Sequence, residues 1–538
     1  MKNKNIIKSI SVIVMLFIIY GILSSCSNIN LKDIFPEILS SIEEQEKNEI
    51  ETPEVEYIPP DKFSLALYTG EALNPYTSQN RENHELMELC YDPLIILDSS
   101  YKAVPILADK YVISEDKITV YLKMDILFSD NTPITAYDCL YSYKKASEDN
   151  SIYKTRFDYI SGWSVVSTYV FDVFFNKNTA YNINLLDIPI IKKDSGSIAV
   201  SSDTEAPIGS GRYYFVKNND ELILKHNKNS IFNDNGEFLI SDIDIIKISD
   251  TESLTYSFNY GIIHALYADL SDGNTRYRGN IELVSFGSNA MVFVVVNTTK
   301  PYFKAPEASK GITYIIDRSN ISKNILMSSS TTVWYPLNPS WEKTKNANLN
   351  EDIYSTATGH DYFNQAGLKL SGVNRVWEKE LVDLTVLVNQ EDIIKVKVAK
   401  SIANDLIGMG FNVTVNTLKW DNYLNAISKS EFDIYIGEVK LPYNMDISPL
   451  LDTSICNNGM EYNEEFLQAI DDFNNSTMDV RSFNHIFQNN LPFIPLYFSS
   501  SALAINRMVS GDFNPCETDI FNGIENWSFN SKTNQTIQ

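Results

Sequence analysis

Histidine is scarce in this chain: His84, His226, His264, His360 and His485 are the five among 538 residues. None stands four residues from another, and no H-E-x-x-H occurs, so a helical zinc-hydrolase ligand set is excluded. Cysteine is as sparse. Cys26, Cys90, Cys139, Cys456 and Cys516 never form a C-x-x-C; an exported chain could pair the last four, and their spacing does not say that it does. There is no G-x-S-x-G elbow. "IGSGRYYF" carries Gly209 and Gly211 without the Lys-Ser/Thr of a P-loop and reads as a tight turn into a strand. Positive charge is also short, with 44 basic against 69 acidic residues and a net charge of −25. That excludes nucleic acid, whose phosphates call for a basic stripe, and electrostatic adhesion to an anionic membrane. The apolar run near the N-terminus, Val12 to Leu23, is twelve residues, short of the roughly 20 that cross a bilayer.

That run follows Lys2, Lys4 and Lys8, with no acid before Cys26. A basic start, a short apolar core and small residues at its end describe an export signal. Its last residues, Leu23-Ser24-Ser25-Cys26, resemble the lipobox of bacterial lipoproteins, in which the cysteine is lipidated and the chain is cut just before it. Residues 1–25 are therefore expected to be a lipoprotein signal peptide, and residues 26–60 a lipidated cysteine and flexible tether. The tether is Glu-rich and ends in "ETPEVEYIPP"; as a coil it would reach on the order of 30 Å. A short stalk helix is the alternative, since Leu31, Ile34, Phe35, Ile38, Leu39 and Ile42 fall at helical spacing.

From "KFSLALYTG" onward strand and helix signals alternate. In "KITVYLKMDILFSDNTPITAYDCLYSYKKA", Ile118, Val120 and Leu122 alternate as one buried face of a strand, and "SDNTP" is turn chemistry. Thr135 is a predicted N-cap answered by Asp138, with Ala136, Leu140 and Tyr143 on one face of the helix that follows. Cys139 in that helix is expected to be a buried free thiol. Further on, Leu384–Val388 predicts a strand, Ile394, Val398, Ile402 and Leu406 the inner face of a helix, Gly408 and Gly410 its end, and "FNVTVNTL" a second strand. Such a unit points to an α/β layer architecture.

Enzymatic readings are thin. Ser99/Lys102 and Ser142/Lys145 fit S-x-x-K, and Ser129-Asp130-Asn131 spells S-D-N, but no K-T-G completes a penicillin-binding enzyme. Acids abound, yet nothing singles out a pair for glycoside hydrolysis.

In their order, these segments resemble the extracytoplasmic solute-binding proteins of oligopeptide-type ABC importers. "ALYTGEALNPYTSQNRENHELMELCYDPLIILDSSYKAVPILADKYVISED" looks like that family's opening. "LKMDILFSDNTPITAYDCLYSYKKA" resembles its most recognisable signature, which usually has Gly where Asn131 stands. "APIGSGRYYFV", "MVFVVVNTT" with "ASKGITYIIDRSNI", and "LPFIPLYFSSSALAI" are similar to its later segments, so the likeness spans about residues 62–510.

The resemblance implies an α/β, two-lobed, periplasmic-binding-protein-like fold of type II, in the large class with an inserted subdomain. Its ligand cleft would lie between lobes joined by hinge strands. Lobe I would comprise 61–90, 201–286 and 492–530, with the insertion at 91–200; lobe II would be 287–491 and the tail 531–538 disordered. The function it implies is capture of short peptides or another small solute, passed to a membrane permease with its cytoplasmic ATPase. It implies a monomer that is exported, held by lipid on Cys26 to the outer face of the cytoplasmic membrane or in the periplasm, and that binds no nucleic acid. No enzyme activity, cofactor or metal is implied. A non-peptide receptor, a surface adhesion or signalling lipoprotein and a cell-wall hydrolase are the other classes.

By position in the family, Tyr68, Thr69, Glu71, Ser288, Asn289 and Tyr497 would line the cleft. Peptide-binding members carry an Asp-containing loop that meets the peptide's amino terminus. The matching region here, "YIGEVKLPYNMDISPLL", lacks that motif, which leaves Glu438 or Asp446 as counter-charge and Lys440 for a carboxylate.

Replacing the anchor residue, Cys26→Ser, is expected to leave the 25-residue leader attached and the product unlipidated. Mass spectrometry of the membrane fraction checks this; an unchanged product would mean that the apolar run stays as an uncleaved helix.

Overall fold

The computed structural model describes residues 62–177, 179–195, 206–218, 221–233, 238–270, 277–349, 353–452 and 456–530. The leader, Cys26, the tether and the tail lie outside the described residues. Strand β1 (Ser64–Tyr68) is buried along most of its length and leads to helix α1 (Arg81–Cys90). Asn80 starts that helix by accepting from the amides of Glu82 and Asn83 at 3.1 and 3.4 Å. A separate layer follows: β2 (Ala108–Ile113), β3 (Lys117–Leu122), α2 (Ala136–Ala146), β4 (Ile160–Ser167) and β5 (Val170–Phe175). Its sheet runs in the order β2-β3-β5-β4, with Tyr143 of α2 edge-on to Phe171 at 5.1 Å. The chain then returns through β6 (Tyr213–Asn218), β7 (Glu221–His226) and β8 (Asp242–Ile248), which join β1 in the order β1-β8-β7-β6.

Six further strands build most of a larger, seven-stranded sheet: β9 (Ala265–Asp269), β10 (Ile281–Val296), β11 (Asp383–Asn389), β12 (Asn412–Leu418), β13 (Ile434–Lys440) and β14 (Ile494–Asn506). Their order is β9-β14-β10-β13-β11-β12. The parallel pair β11 and β12 is linked by helix α3 (Ile393–Gly408), with Val398, Ile402 and Leu406 fully buried beneath it. This is the strand–helix–strand unit read from the sequence. Strands β10 and β14 belong to two halves of the molecule at once. Residues 281–287 of β10 pair with 506–500 of β14, beside β9; residues 290–296 pair with 440–434 of β13. Pairing with β14 slips between Gly287 and Met291, so Ser288-Asn289-Ala290 form a bulge where one lobe gives way to the other. Met291 to Val296, covered on both faces, are uniformly apolar and buried.

Local signals map closely onto this frame. Ile118, Val120 and Leu122 are the buried face of β3, and Thr135 N donates to Asp138 Oδ2 at 2.9 Å in the expected capping box. Asn131 adopts φ 66°, the left-handed conformation that Asn tolerates and Gly prefers. Leu140 is a correction: it is 38% exposed, while Ala136, Cys139, Ser142, Tyr143 and Ala146 form the buried face of α2. At about 100° per residue, Leu140 lies roughly a quarter-turn from the centre of that arc. Cys90, Cys139, Cys456 and Cys516 are buried free thiols.

The glycine turn is a packing device. A Cβ on Gly211 would lie 2.4 Å from the carbonyl carbon of Cys90, and one on Gly209 2.1 Å from its oxygen. Bare backbone lets Gly211 N donate to Cys90 O at 3.0 Å, docking β6 on the end of α1. Gly211→Ala should lower the denaturant midpoint by about 1–3 kcal/mol equivalent with unchanged slope. A wild-type midpoint would show that α1 moves aside without cost.

Candidate functional site

A cavity of about 580 Å³ lies where the two lobes face one another. Its walls come from α1, from the layer around Tyr153, Arg156 and Asp187, from Lys440–Tyr443 at the end of β13, and from Glu517–Asp519 near the C-terminus. A wider groove of about 780 Å³ around His360, Arg375 and Asp405 is lined by residues between Ile315 and Gly410 alone. The first has the architecture of a cleft, because both lobes are needed to enclose it.

Helix α1 supplies the most unusual wall. Arg81, Glu85 and Glu88 fall at i, i+4 and i+7, so its polar face turns inward rather than to solvent. Arg81 is ion-paired with Glu85 and lies 4.2 Å over the Tyr267 ring. His84 Nδ1 stands 3.1 Å from Glu88 Oε1. Burial pushes the Glu88 carboxyl up to about 8 and the Glu85 carboxyl well above its usual range. Burial, with Arg81 nearby, pushes His84 down to about 4.

Across from α1, Arg156 grips Asp187 through Nε and NH2, both at 2.9 Å, and its guanidinium lies 4.6 Å from the Tyr443 ring centre. Arg212 is ion-paired with Asp519 and also donates to Phe521 O at 3.0 Å. Glu517 collects three segments: Oε2 accepts from Tyr101 OH and Asn289 N, each at 2.8 Å, and Oε1 pairs with Lys440 Nζ at 2.9 Å. Asn184 Nδ2 donates to Tyr101 O and Tyr443 O at 3.0 and 2.9 Å, tying its own segment to the turn after β13.

Of the nine positions expected from the sequence, Lys440 alone lines this cavity, and Glu517 holds it. Asn289 sits just behind: its side chain donates to Leu441 O at 2.9 Å and accepts from Asn338 at 2.9 Å, setting the bulge and the turn after β13 together. Ser288 Oγ accepts from Ala290 N at 3.2 Å within the same bulge. Tyr68 exchanges two backbone hydrogen bonds with the Asn83 side chain, at 2.8 and 2.9 Å, and so seats α1. Thr69 N donates to Ile248 O at 3.0 Å. Glu71 accepts from Gln79 N and Asn80 N at 2.9 and 2.8 Å, fixing the entry to α1. Glu438 lies outside the cavity, paired with Lys395 at 2.5 Å. Asp446 accepts from Ser448 N and Asn474 Nδ2 at 2.9 and 2.8 Å, shaping its own turn. Tyr497 is buried in β14, opposite Val292.

Sequence reading missed the ionic lining. "RENHELMELC" does carry Arg81/Glu85 and His84/Glu88 at i, i+4, a spacing that was open to inspection. Arg212 and Asp519, far apart in the chain, meet only in the fold. The S-x-x-K reading at Ser142 loses its nucleophile: Ser142 is fully buried and its Oγ accepts from Ile191 N at 2.9 Å.

Residues 102–459 match the family model described as bacterial extracellular solute-binding proteins, family 5 middle. The chain is 20% identical over 503 residues to the periplasmic oligopeptide-binding protein OppA of Salmonella typhimurium, covering 84% of this chain and 90% of that one. Its fold is similar to NikZ from Campylobacter jejuni in complex with Ni(L-His), with TM-score 0.61 and 20% identity over 88% of this chain and all of the other. It is also similar to the oligopeptide-binding protein AppA from Bacillus subtilis in complex with a nonapeptide, with TM-score 0.56 and 17% identity over 88% and 99% of the two chains.

The raised Glu88 carboxyl has a consequence for stability. The unfolded chain releases that proton near the ordinary carboxylate range, whereas the folded protein keeps it until about 8, so stability is lost as pH rises through that window. Gln cannot ionise. Glu88→Gln should therefore raise the melting temperature more at about pH 8 than at about pH 5; an equal or opposite shift in paired melts would mean that Glu88 is ionised in the fold.

Proposed function

Because the chain belongs to the family 5 bacterial extracellular solute-binding proteins, we propose that it is the receptor of an ABC importer. It captures short peptides between its lobes and delivers them to a membrane permease with a cytoplasmic ATPase. The observation that carries this reading is the cavity itself, walled by both lobes around two strands that pass between them. A ligand touching both walls stabilises the closed form, which the permease then engages. A cavity of about 580 Å³ is of the size that encloses a small organic ligand.

Peptide capture is favoured by the likeness to OppA and to peptide-bound AppA. The likeness to nickel-bound NikZ keeps a non-peptide solute as the second reading. Lobe I is assigned to 61–90, 201–286 and 492–530, the insertion to 91–200 and lobe II to 287–491. The receptor acts as a monomer without nucleic acid or cofactor, outside the cytoplasm, and a lipid on Cys26 keeps it beside its permease. Tyr68 and Glu71 contribute by seating α1, Thr69 by joining the end of β1 to β8, Ser288 and Asn289 by setting the hinge bulge, and Lys440 by facing the cavity.

Native mass spectra of the purified protein, before and after gentle denaturation, test this. A ladder of released peptide masses is the expected result, and a single non-peptide mass would move the substrate class. In a thermal screen, a true ligand at a hundredfold excess over Kd should stabilise by about 2.7 kcal/mol. No retained mass and no shift with peptides, sugars or metal chelates would leave adhesion or signalling.

A further inference from the structure

The groove away from the cleft holds a buried cation whose bonding is incomplete. It lies between the helix Thr356–Gln365, the hairpin of strands Lys369–Ser371 and Asn374–Trp377, and the C-terminal end of α3. Arg375 of that hairpin lines it and is 1% exposed. Its Nε donates to Met409 O at 3.1 Å, and its NH1 to Leu368 O at 2.8 Å and Asn364 Oδ1 at 3.4 Å. NH2 is buried and has no acceptor, and among the described residues no carboxylate pairs with this guanidinium. Arg318, equally buried, shows the ordinary solution: its Nε, NH1 and NH2 all meet carbonyls, of Val333, Thr313 and Pro495. A buried charged donor without a partner is costly, so the gap at Arg375 calls for an acceptor that the chain does not supply.

Asp405, on α3, is the one acid of the groove's lining, and His360 its one histidine, with Nδ1 held by Asn364 at 2.9 Å. Asp405 Oδ2 accepts from Asp317 N at 3.2 Å, and burial, with the charge of Asp317 adding to it, pushes the Asp405 carboxyl up to about 6. Tyr354 borders the groove on that side; its hydroxyl is held up by burial and by the same two aspartates. Met409, whose carbonyl receives Arg375, follows Asp405 by four residues. The two charges are therefore anchored about 6 Å apart along the axis of α3. Between and around them lie Ile315, Leu370, Val373 and Met409. Val373 is 83% exposed, an apolar rim on a groove that is charged within.

We propose that this groove is a second ligand site, taking an apolar α-amino acid as the zwitterion: carboxylate at Arg375, ammonium at Asp405, side chain against Leu370, Val373 and Met409. The charge pattern selects both ends. A simple anion would answer Arg375 but meet Asp405 and Asp317 as like charges. A simple amine would answer Asp405 and leave Arg375 as it is. An amino acid carries its two charges on either side of one carbon, so with a hydrogen bond at each end it spans a gap of the size found here. Tyr354 adds a ring face on the ammonium side. Leu370 is the cross-strand partner of Arg375 on the same face of the hairpin, and its half-exposed side chain can change rotamer to admit the carboxylate. No residue lines both this groove and the cleft, so the site stands apart from the importer reading.

Calorimetry on the full-length protein tests it, with leucine, N-acetyl-leucine and leucinamide as probes. Leucine should bind wild type at least about tenfold more tightly than either blocked form, since each lacks one of the two charges. Asp405→Asn keeps an acceptor for Asp317 N and should remove that margin. Leu370→Trp, at a half-exposed position, should obstruct the groove mouth and cost leucine a similar factor. Leucine and its blocked forms binding alike, or no leucine binding, would overturn the site. Leucine binding that both variants leave unchanged would also overturn it, by placing the amino acid elsewhere, and the cleft reading would stand in every case.

Discussion

Both lobes hang from one antiparallel pair. Strands β10 and β14 run from the sheet edge beside β9 to the centre of the sheet that contains β13, β11 and β12. A continuous ladder through that length would weld the halves into a single slab. The bulge at Ser288-Asn289-Ala290 interrupts it, but an interrupted ladder strands a backbone donor that must find a partner. Asn289 N finds Glu517, whose carboxylate is 8% exposed and also receives Tyr101 OH and Lys440 Nζ. The acceptor that satisfies the hinge is thus the one that holds the end of β13 against the first lobe.

This arrangement couples the geometry of the cleft to its electrostatics. Swinging β13 away separates Lys440 from Glu517 and Tyr443 from both Arg156 and Asn184. The arginine pairs of the lining, Arg81 with Glu85, Arg156 with Asp187 and Arg212 with Asp519, have their charges largely out of water, where attraction is strong but desolvation offsets most of it. The pairs therefore set shape and register more than net stability. They also occupy the basic groups. A ligand entering such a lining meets guanidinium groups already engaged, and the surplus is negative. The acidic excess of the whole chain, net −25, extends the same sign outward, although screening confines its reach to about 8–10 Å in physiological salt.

Local periodicity made the frame readable and left the site obscure, for one physical reason. Strand β3, the capping box at Thr135 and Asp138, and the β11–α3–β12 unit are each fixed by residues within a few positions of one another, so a sequence window contains the whole cause. Asn131 is legible in the same way, as a residue able to take the place of a glycine in a turn. The cavity is assembled from contacts such as Arg212 with Asp519, which no window contains. Glu438, read as a counter-charge after a strand end, meets Lys395 on α3, a partner far from it in the chain. Tyr68 and Glu71 stand beside that cavity, their hydrogen bonds orienting α1. The exception is α1 itself, where the paired i, i+4 spacings of Arg81/Glu85 and His84/Glu88 stood in plain view. Histidine spacing alone does not reveal them, since the partner of His84 is a carboxylate.

How firmly the lobes hold one another without a ligand follows from the contacts between them. Lys177 with Asp471 is a pair of half-exposed side chains, worth about 0–1 kcal/mol. Asn182 with Asn444 and Asn184 with Tyr443 are buried hydrogen bonds between neutral groups, each worth about 1 kcal/mol net. Against these stands the exposure of the polar cavity walls, which regain water when the lobes part. Reversing a 1:99 population of open and closed forms requires about 5.5 kcal/mol of differential affinity. A ligand that fills the cavity and touches Lys440–Tyr443 on one side and α1 on the other can supply that from ordinary hydrogen bonds and apolar contact. A ligand bound to one wall alone cannot, because it stabilises open and closed forms equally. Selectivity in this fold therefore belongs to groups that face each other across the cleft, and that requirement explains why α1 presents its polar face inward, at the cost of burying two carboxyls, instead of the apolar stripe that a helix in that position would ordinarily pack.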